Sequence, residues 1–406
     1  MLILRLKMHE TPTLPLGRRI AALRARRGMS QQVLAGLVGR TENWVSKIEN
    51  GHLEVDRLSV LENLASALQV PAQALIPDLM MRTLTERNST SEKIRDAIND
   101  EHRWLTTGGA RQEASLADVE VRLNATWAAT QSGDHPSVGR AMPALIADVD
   151  YLAGVRPEPK VFAAQAMVYN AAEFSLTKMG DARAAWVAAE RGVSASDRSE
   201  DPAIQLTLRR ALVHALQSND DYAAAVRLAQ ALTEEAFSQR GAMDPRFASA
   251  LGTLQLAGSM AAARQSDARA VRQFMNGATA LLELVRTDSN FLYTSFGPTN
   301  VALHDVSTQV ELGNSTFAVE RAPRIDASHL PMERRVRAGL VHARALVLTG
   351  DSRAGSELLL MTERLSPRLV ASHFATRNLL GLLLGARQSS PLHPAVVDLA
   401  RRAGVA

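Results

Sequence analysis

Four polar side chains in the first turns of a short predicted helix could hydrogen-bond to the edges of nucleic-acid bases. They are Thr41, Glu42, Asn43 and Lys47. An asparagine amide can bind adenine bidentately, a lysine can reach the acceptors of guanine or a phosphate, and a glutamate can accept a hydrogen bond from cytosine. For Glu42 a second role is equally open, because a carboxylate in the first turn stabilises the helix dipole.

Neighbouring side chains could hold the phosphate backbone. Gln31 and Gln32 begin the preceding predicted helix, where side chains and free backbone N–H groups can bind phosphates. Arg40, between the two helices, either contacts phosphate or is a solvated turn residue. Asn50 either contacts phosphate or only ends its helix. For Trp44 we expect packing rather than base contact, because burying its indole is more favourable than exposing it.

Caps and glycines predict the helices that carry these residues. Ser30 and Thr41 are good N-caps, Gly39 suits the tight turn between them, and Gly51 follows the helix end. Leu34, Ala35, Leu37, Val45 and Ile48 are predicted to form the core. The five predicted helices span residues 16–27, 31–38, 42–50, 57–68 and 71–76.

The stretch from Gln31 to Asn50 resembles the Xre-type (lambda-repressor-like) helix-turn-helix. The resemblance rests on Ser30-Gln31, on Leu34-Ala35 and on the sequence VSKIENG at 45–51, and it covers about residues 14–77. It implies that residues 42–50 form a recognition helix that enters the major groove of double-stranded DNA. It also implies a homodimer, because one recognition helix reads only a few base pairs.

The net charge of +4 is located entirely in this part of the chain. Residues 1–82 contain 11 Lys and Arg against 7 Asp and Glu, and the remainder is balanced. A positive excess favours attraction to phosphates, although +4 on a small domain is common.

Three parts are predicted along the chain: a helix-turn-helix domain at 14–78, a linker with a helix at 79–115, and an α-solenoid at 116–406. The linker is polar, with NSTS at 88–91 and TTGG at 106–109, and its helix is predicted at Ser91–Trp104. High Ala and Leu content predicts an all-α fold class throughout.

A small polar break recurs between helical patterns from residue 116 onwards. The breaks are Gly133-Asp134, Gly180-Asp181, Asn219-Asp220, Ser266-Asp267, Gly313-Asn314 and Gly350-Asp351. Their steps of 47, 39, 47, 47 and 37 residues indicate stacked helix pairs. The array resembles degenerate tetratricopeptide repeats, as in peptide-responsive regulators of Gram-positive bacteria and in Ala- and Arg-rich actinobacterial regulators.

The first helix of each pair lines the inner groove of such an array, so its polar residues are candidate ligand contacts. The alternative for each is an ordinary hydrogen bond between repeats or a solvated surface. The candidates are Tyr169, Asn170, Glu173, Arg209, Asn300, His304 and His342.

Catalytic motifs are absent from the sequence, which has no GxxxxGK, HExxH, GxSxG or GxGxxG. It also has no cysteine, which suits a reducing cytoplasm. No apolar run reaches the ~20 residues that a membrane span needs. We therefore expect a cytoplasmic non-enzyme without cofactor, metal or membrane partner.

Together these features predict a sequence-specific transcriptional regulator. Its DNA affinity would be controlled by a ligand, peptide or protein on the helical array. The alternative is a protein-interaction scaffold with a secondary DNA-binding domain. Salt dependence separates the two, because specific binding by a DNA reader falls steeply with salt.

Overall fold

The computed structural model describes residues 16–51, 53, 55, 58–70, 75, 90–99, 115–238, 244–385, 392–403 and 405. In these ranges the secondary structure is helical, apart from one isolated bridge between Ser289 and Phe296. The all-α fold class is therefore confirmed. The chain divides after positions 85 and 369 into two compact units: the amino-terminal part groups with the chain from 370, and residues 86–369 form the second unit.

Four described helices build the amino-terminal part of the first unit, each within two residues of its predicted ends. The predicted fifth helix, 71–76, lies outside the described residues except for the buried Leu75. The four are α1 (Leu16–Arg26), α2 (Gln31–Leu37), α3 (Glu42–Glu49) and α4 (Leu58–Ala67).

Two side-chain caps and one glycine set the angle between α2 and α3. Ser30 Oγ accepts a hydrogen bond from the backbone N–H of Val33 at 3.1 Å, and Thr41 Oγ1 accepts one from Trp44 at 3.2 Å. Gly39 is in the left-handed region at φ 65°, which a residue with a side chain adopts only at a cost. The predicted capping pattern is therefore found.

The core of this part contains four of the five predicted residues. Leu34, Ala35, Val45 and Ile48 are buried among side chains of α1 and α4. The prediction for Leu37 is wrong, since 59% of this residue is exposed. The two turns of α2 bury the side that carries Leu34 and Ala35, and Leu37 lies on the opposite side, one turn after the exposed Val33.

The second unit consists of helix pairs preceded by a helix at residues 90–99, which we call α5. The first helices of the pairs are α6 (Leu116–Ser132), α8 (Pro159–Met179), α10 (Pro202–Ser218), α12 (Pro245–Arg264), α14 (Pro298–Glu311) and α16 (Met332–Leu348). The second helices are α7 (His135–Val155), α9 (Ala182–Asp197), α11 (Tyr222–Ser238), α13 (Ala268–Ala280), α15 (Ser315–Arg321) and α17 (Ser352–Leu365).

All six predicted breaks lie at the turn between the two helices of a pair. At each turn one residue is left-handed: Gly133, Gly180, Asp220, Ser266, Gly313 and Gly350. In most pairs the next helix then begins on an aspartate whose carboxylate accepts backbone N–H groups, as Asp181 and Asp351 do. Successive first helices pack side by side, and α16 also contacts α6, so the array curves back on itself.

Helix α5 is packed into the second unit. Its Ile94 and Ile98 join the apolar cluster of α6 and α7, and Ser91 Oγ donates to Asp181 Oδ2 at 2.6 Å. The predicted linker helix thus has a described segment at 90–99. The remaining linker residues lie largely outside the described ranges, and the three domain limits stay predictions.

A loop at residues 284–297, which we call the strap, joins α13 to α14 and reaches α6. The Tyr293 ring stacks on Trp127 of α6 with ring centres 4.7 Å apart, and Tyr293 Oη donates to Asn124. Leu292, Tyr293 and Ser295 all adopt left-handed backbone conformations. Three such non-glycine residues within four positions store strain that the surrounding contacts must hold in place.

The chain from residue 367 adds three further described helices. They are α18 (Pro367–Ser372), α19 (Phe374–Gly385) and α20 (Pro394–Arg402). His393 precedes α20 and accepts the backbone N–H of Ala395 on Nδ1 at 3.2 Å. Among the described helices, none is both long and apolar enough to cross a membrane.

The contrast between Leu34 and Leu37 yields a stability prediction. Leu34→Ala should lower the free energy of unfolding of the amino-terminal helices by about 2–5 kcal/mol, because it leaves a cavity. Leu37→Ala should change it by about 0.5 kcal/mol or less, because its side chain is already in water. Hydrogen exchange of residues 31–49 in the intact chain measures both. Equal loss of protection in the two variants would contradict the described core.

Candidate functional site

One face of α3 presents an exposed set of polar side chains. Glu42, Asn43 and Lys47 are exposed, and Asn43 and Lys47 lie one turn apart on the same face. Thr41 caps the helix beside them and Gln32 is exposed on α2. These donors and acceptors therefore stand free of the protein core and can meet another molecule.

Arg40 and Trp44 form a partly buried pair beside this face. The Arg40 guanidinium lies 5.4 Å from the centre of the Trp44 ring, and the ring packs against the core. This cation–π contact restrains Arg40 next to the exposed face. The expected packing role of Trp44 agrees with this position. At the other end of α3, Asn50 Nδ2 donates to the Ser46 carbonyl at 2.9 Å.

A buried carboxylate joins the three helices behind the exposed face. Glu49, only 4% exposed, accepts two hydrogen bonds from Arg24 of α1, at 2.5 and 2.8 Å. Gln31 Nε2 of α2 donates to the same carboxylate at 2.7 Å, and Arg24 also donates to the Met29 carbonyl at 2.7 Å. The Gln31 amide nitrogen, a predicted phosphate contact, is thus used within the domain.

The electrostatics of Glu49 stabilise this arrangement. Burial by itself would raise the pKa of the Glu49 carboxyl, but the hydrogen bonds from Arg24 and Gln31 and the charge of Arg24 leave that pKa below its usual value. The stabilisation is therefore present above the ordinary carboxyl pKa of 4.5, and it is lost as the pH falls through the lower value of the folded state.

Removing this carboxylate should loosen the whole exposed face. Glu49→Ala leaves the Arg24 guanidinium partly buried without its partner, and we expect a loss of about 3–5 kcal/mol in the unfolding free energy of these helices. Glu42→Ala, on exposed α3 surface, is the matched control with an expected change under about 1 kcal/mol. The same exchange experiment on residues 31–49 measures both. Full protection in the Glu49 variant would refute this role of Glu49.

A second concentration of polar groups lies among the first helices of the second unit. We call it the groove cluster, and its members come from α8, α10, α14 and α16. Lys178 Nζ is 2.5 Å from Glu333 Oε1, and Arg334 lies 3.6 Å from the other oxygen of Glu333. The members are Glu173, Lys178, Arg210, His214, His304, Glu333, Arg334 and Arg337.

Burial and like charge shift the basic groups of the groove cluster. Burial, together with the charge of Arg334, lowers the pKa of both Arg210 and Arg337 to about 10. Burial also lowers the pKa of His214 well below its usual value, helped by the charges of Arg210, Lys178, Arg334 and Arg337. His304 is shifted in the same direction, first by burial and then by Arg337 and Arg334. Both imidazoles are therefore neutral at neutral pH.

Glu173 is completely buried, and its carboxyl resists ionisation. Burial raises the pKa of Glu173 to about 7, although Arg210, a hydrogen bond from Thr177 at 2.9 Å and Lys178 oppose the shift. Its second oxygen, Oε2, has no hydrogen-bond partner. The Glu173 carboxyl therefore keeps its proton to a higher pH than an ordinary glutamate does.

Two of the seven predicted ligand contacts, Glu173 and His304, are members of this cluster, and Asn170 and Asn300 lie near them on the same helices. Asn170 lies one turn before Glu173 on α8, and Asn300 lies one turn before His304 on α14. The Nδ2 and Oδ1 atoms of both asparagines are buried without a hydrogen-bond partner. His304 Nδ1 is 2.9 Å from the Asn300 carbonyl oxygen. Sequence reasoning missed Lys178, Arg210, His214, Glu333, Arg334 and Arg337.

The other three predicted contacts lie elsewhere. Tyr169 Oη donates to Asp150 of α7 at 2.9 Å. Arg209 pairs with Glu235 of α11 at 2.7 Å. His342 lines a separate cavity of about 140 Å³ between α14, α16 and the segment at residues 322–325, and burial lowers its pKa.

The ionisation of Glu173 should be visible in stability. Because its pKa in the folded state is raised, the unfolded chain releases this proton first, and unfolding becomes easier as the pH rises from about 4.5 to 7. Glu173→Gln keeps an acceptor for Thr177 and cannot ionise. Relative to the unmodified chain, the variant should gain about 1–3 kcal/mol between pH 5 and pH 8.

Urea unfolding at several pH values measures this gain. The contributions of His214 and His304 have the opposite pH dependence, but both proteins share them. Glu190→Gln, at an exposed position on α9, is the control and should show no such gain. A difference between the Glu173 variant and the unmodified chain that is independent of pH would exclude a titrating Glu173.

Residues 15–79 match a family model described as a helix-turn-helix domain. No curated protein matches the chain. Among solved structures, the crystal structure of Bacillus thuringiensis PlcR in complex with the peptide PapR7 and DNA is similar over 68% of this chain and 96% of that one. The identity is 16% and the TM-score 0.33.

Proposed function

We propose that this chain is a sequence-specific DNA-binding transcriptional regulator of Xre type. It acts as a homodimer, without catalysis, and a ligand, peptide or protein held by the tetratricopeptide-like array controls its affinity for DNA. The helix-turn-helix match at residues 15–79 supports DNA binding.

The exposed polar face of α3 is the observation that carries the proposal. Asn43 and Lys47 point away from a core that the Arg24–Glu49 pair fixes behind them. A rigid helix with free donors and acceptors on its outer face can enter the major groove and hydrogen-bond to base edges. Arg40, held on Trp44, adds a positive charge near the start of this helix, where a phosphate contact is expected.

The groove cluster supports regulation through the array. A bound molecule can shift a protein between two shapes only by its different affinity for them. The groove cluster brings α8, α10, α14 and α16 together, so a ligand there contacts repeats that are far apart in sequence. A dimer would make this effective, because a change in the array that alters the spacing of two recognition helices alters their fit to paired half-sites.

Asn43 provides the sharpest test of base recognition. The preferred DNA site is first selected from a random pool with the full chain, and a homodimer predicts two half-sites in it. Asn43→Ala should then cost about 1–3 kcal/mol in binding that site and should relax the preference at one base pair per half-site. Asn63→Ala, at an exposed asparagine of α4, is the matched control.

Salt dependence accompanies this measurement. Binding to the selected site should weaken steeply as salt rises, with a slope set by the number of phosphates contacted. Binding that is insensitive to salt would favour the protein-interaction scaffold over the DNA reader. Unchanged selectivity of the Asn43 variant would exclude the base contact of Asn43.

A further inference from the structure

The groove cluster carries more positive charge than its own carboxylates neutralise. Lys178, Arg210, Arg334 and Arg337 bring four cations, while Glu173 and Glu333 bring at most two negative charges. Glu311 nearby is balanced by Arg344, whose guanidinium lies 2.9 Å from it. Buried charge of one sign is costly unless something of the opposite sign compensates it.

Arg337 is a half-buried member of this set of cations. Among the described residues it has no hydrogen-bond or ion-pair partner, although Glu333, Glu311, Arg334 and Arg264 act on it from a distance. Arginines of folded proteins normally direct their five N–H donors to acceptors. The Arg337 guanidinium is largely removed from water, and no hydrogen bond to an acceptor in the described residues stabilises its charge.

Further polar atoms on the helices of the groove cluster lack a hydrogen-bond partner. Arg210 Nε and Glu173 Oε2 have no partner, and neither do both side-chain polar atoms of Asn170 and Asn300. Each of these residues is more than nine-tenths buried. Buried polar atoms are nearly always hydrogen-bonded, and each one left without a partner costs about 1–3 kcal/mol. These atoms include donors and acceptors, so what satisfies them must offer both.

We propose that the groove cluster binds a small polar organic anion. A carboxylate or phosphate group of the ligand is held by Arg337 and Arg210, and hydroxyl or amide groups next to it bond to Asn170 and Asn300. Guanidinium groups bind either oxyanion through paired N–H donors. Because the imidazoles of His214 and His304 are neutral, the arginines supply the positive charge that binds the anion. That this ligand controls DNA binding rests on the proposed function, whereas binding of the anion does not.

Isothermal titration of the full chain with simple probes tests the site. Inorganic phosphate represents a phosphate group, malate represents a carboxylate beside a hydroxyl, and the neutral diamide of malate is the control probe. All titrations are made at constant ionic strength. We expect one saturable site per chain for phosphate or malate, the tighter probe identifying the oxyanion, and no binding of the diamide. No saturable binding of either anion up to about 10 mM would overturn the proposal.

Arg337→Gln locates the site and Arg353→Gln, at an exposed arginine of α17, is its matched control. We expect at least a tenfold loss of anion affinity in the first variant and none in the second. Without anion, the Arg337 variant should melt at a higher temperature than the unmodified chain, because repulsion by Arg334 is relieved. This rise separates a binding role from a structural one, since loss of a structural arginine would lower the melting temperature. Equal anion affinity in both variants would also overturn the proposal.

Binding to the selected DNA site separates this proposal from the proposed function. The bound anion should change the DNA affinity of the unmodified chain by at least fivefold and leave that of Arg337→Gln unchanged. If the full chain selects no DNA site while malate or phosphate still binds at Arg337, the proposed function fails and the anion site stands. If DNA recognition is as proposed but no anion binds, only the anion site fails.

Discussion

The ion pair between Lys178 and Glu333 joins the second helix pair of the array to the sixth. In helical repeat proteins in general, contacts are made mainly between neighbouring repeats. This pair instead connects α8 with α16 across the groove at 2.5 Å, with Glu333 almost completely buried. Breaking such a pair leaves a buried charge without compensation. The relative position of the two helices, and with it the charge surplus between them, depends on this contact.

The two units use buried polar groups in opposite ways. In the amino-terminal helices the Glu49 carboxylate is fully engaged by Arg24 and Gln31, and the result is a rigid support for the outer face of α3. In the groove, Asn170, Asn300 and Arg210 remain incompletely paired at similar burial. A fully paired buried network gives stability and a unique structure, whereas incomplete pairing is usual where a protein meets another molecule.

The sequence predicted local features well and contacts between distant residues poorly. Caps at Ser30 and Thr41 and the six breaks located helix ends and turns, because these signals act over four or five residues. Leu37 was placed wrongly, since a two-turn helix is too short for periodicity to define its buried side. Asn170 and Asn300 could be predicted as ligand contacts because they are polar residues on α8 and α14, each the first helix of a pair. Nothing local could show that Arg210 and Arg337, 127 positions apart, share one groove.

The strap should change how the helix pairs of the array separate when the array unfolds. An open stack of helix pairs can unfold from either end. Once the outer neighbour of a pair has unfolded, that pair is stabilised by a single interface, the one with its inner neighbour. Here the Tyr293 ring stacks on Trp127 of the first pair, and α16 contacts α6, so the stack of helix pairs closes into a cycle. A cycle has no free end, and separating any one pair requires two interfaces to open together. Unfolding should therefore be cooperative across the helix pairs, and a substitution in the strap should destabilise all of them.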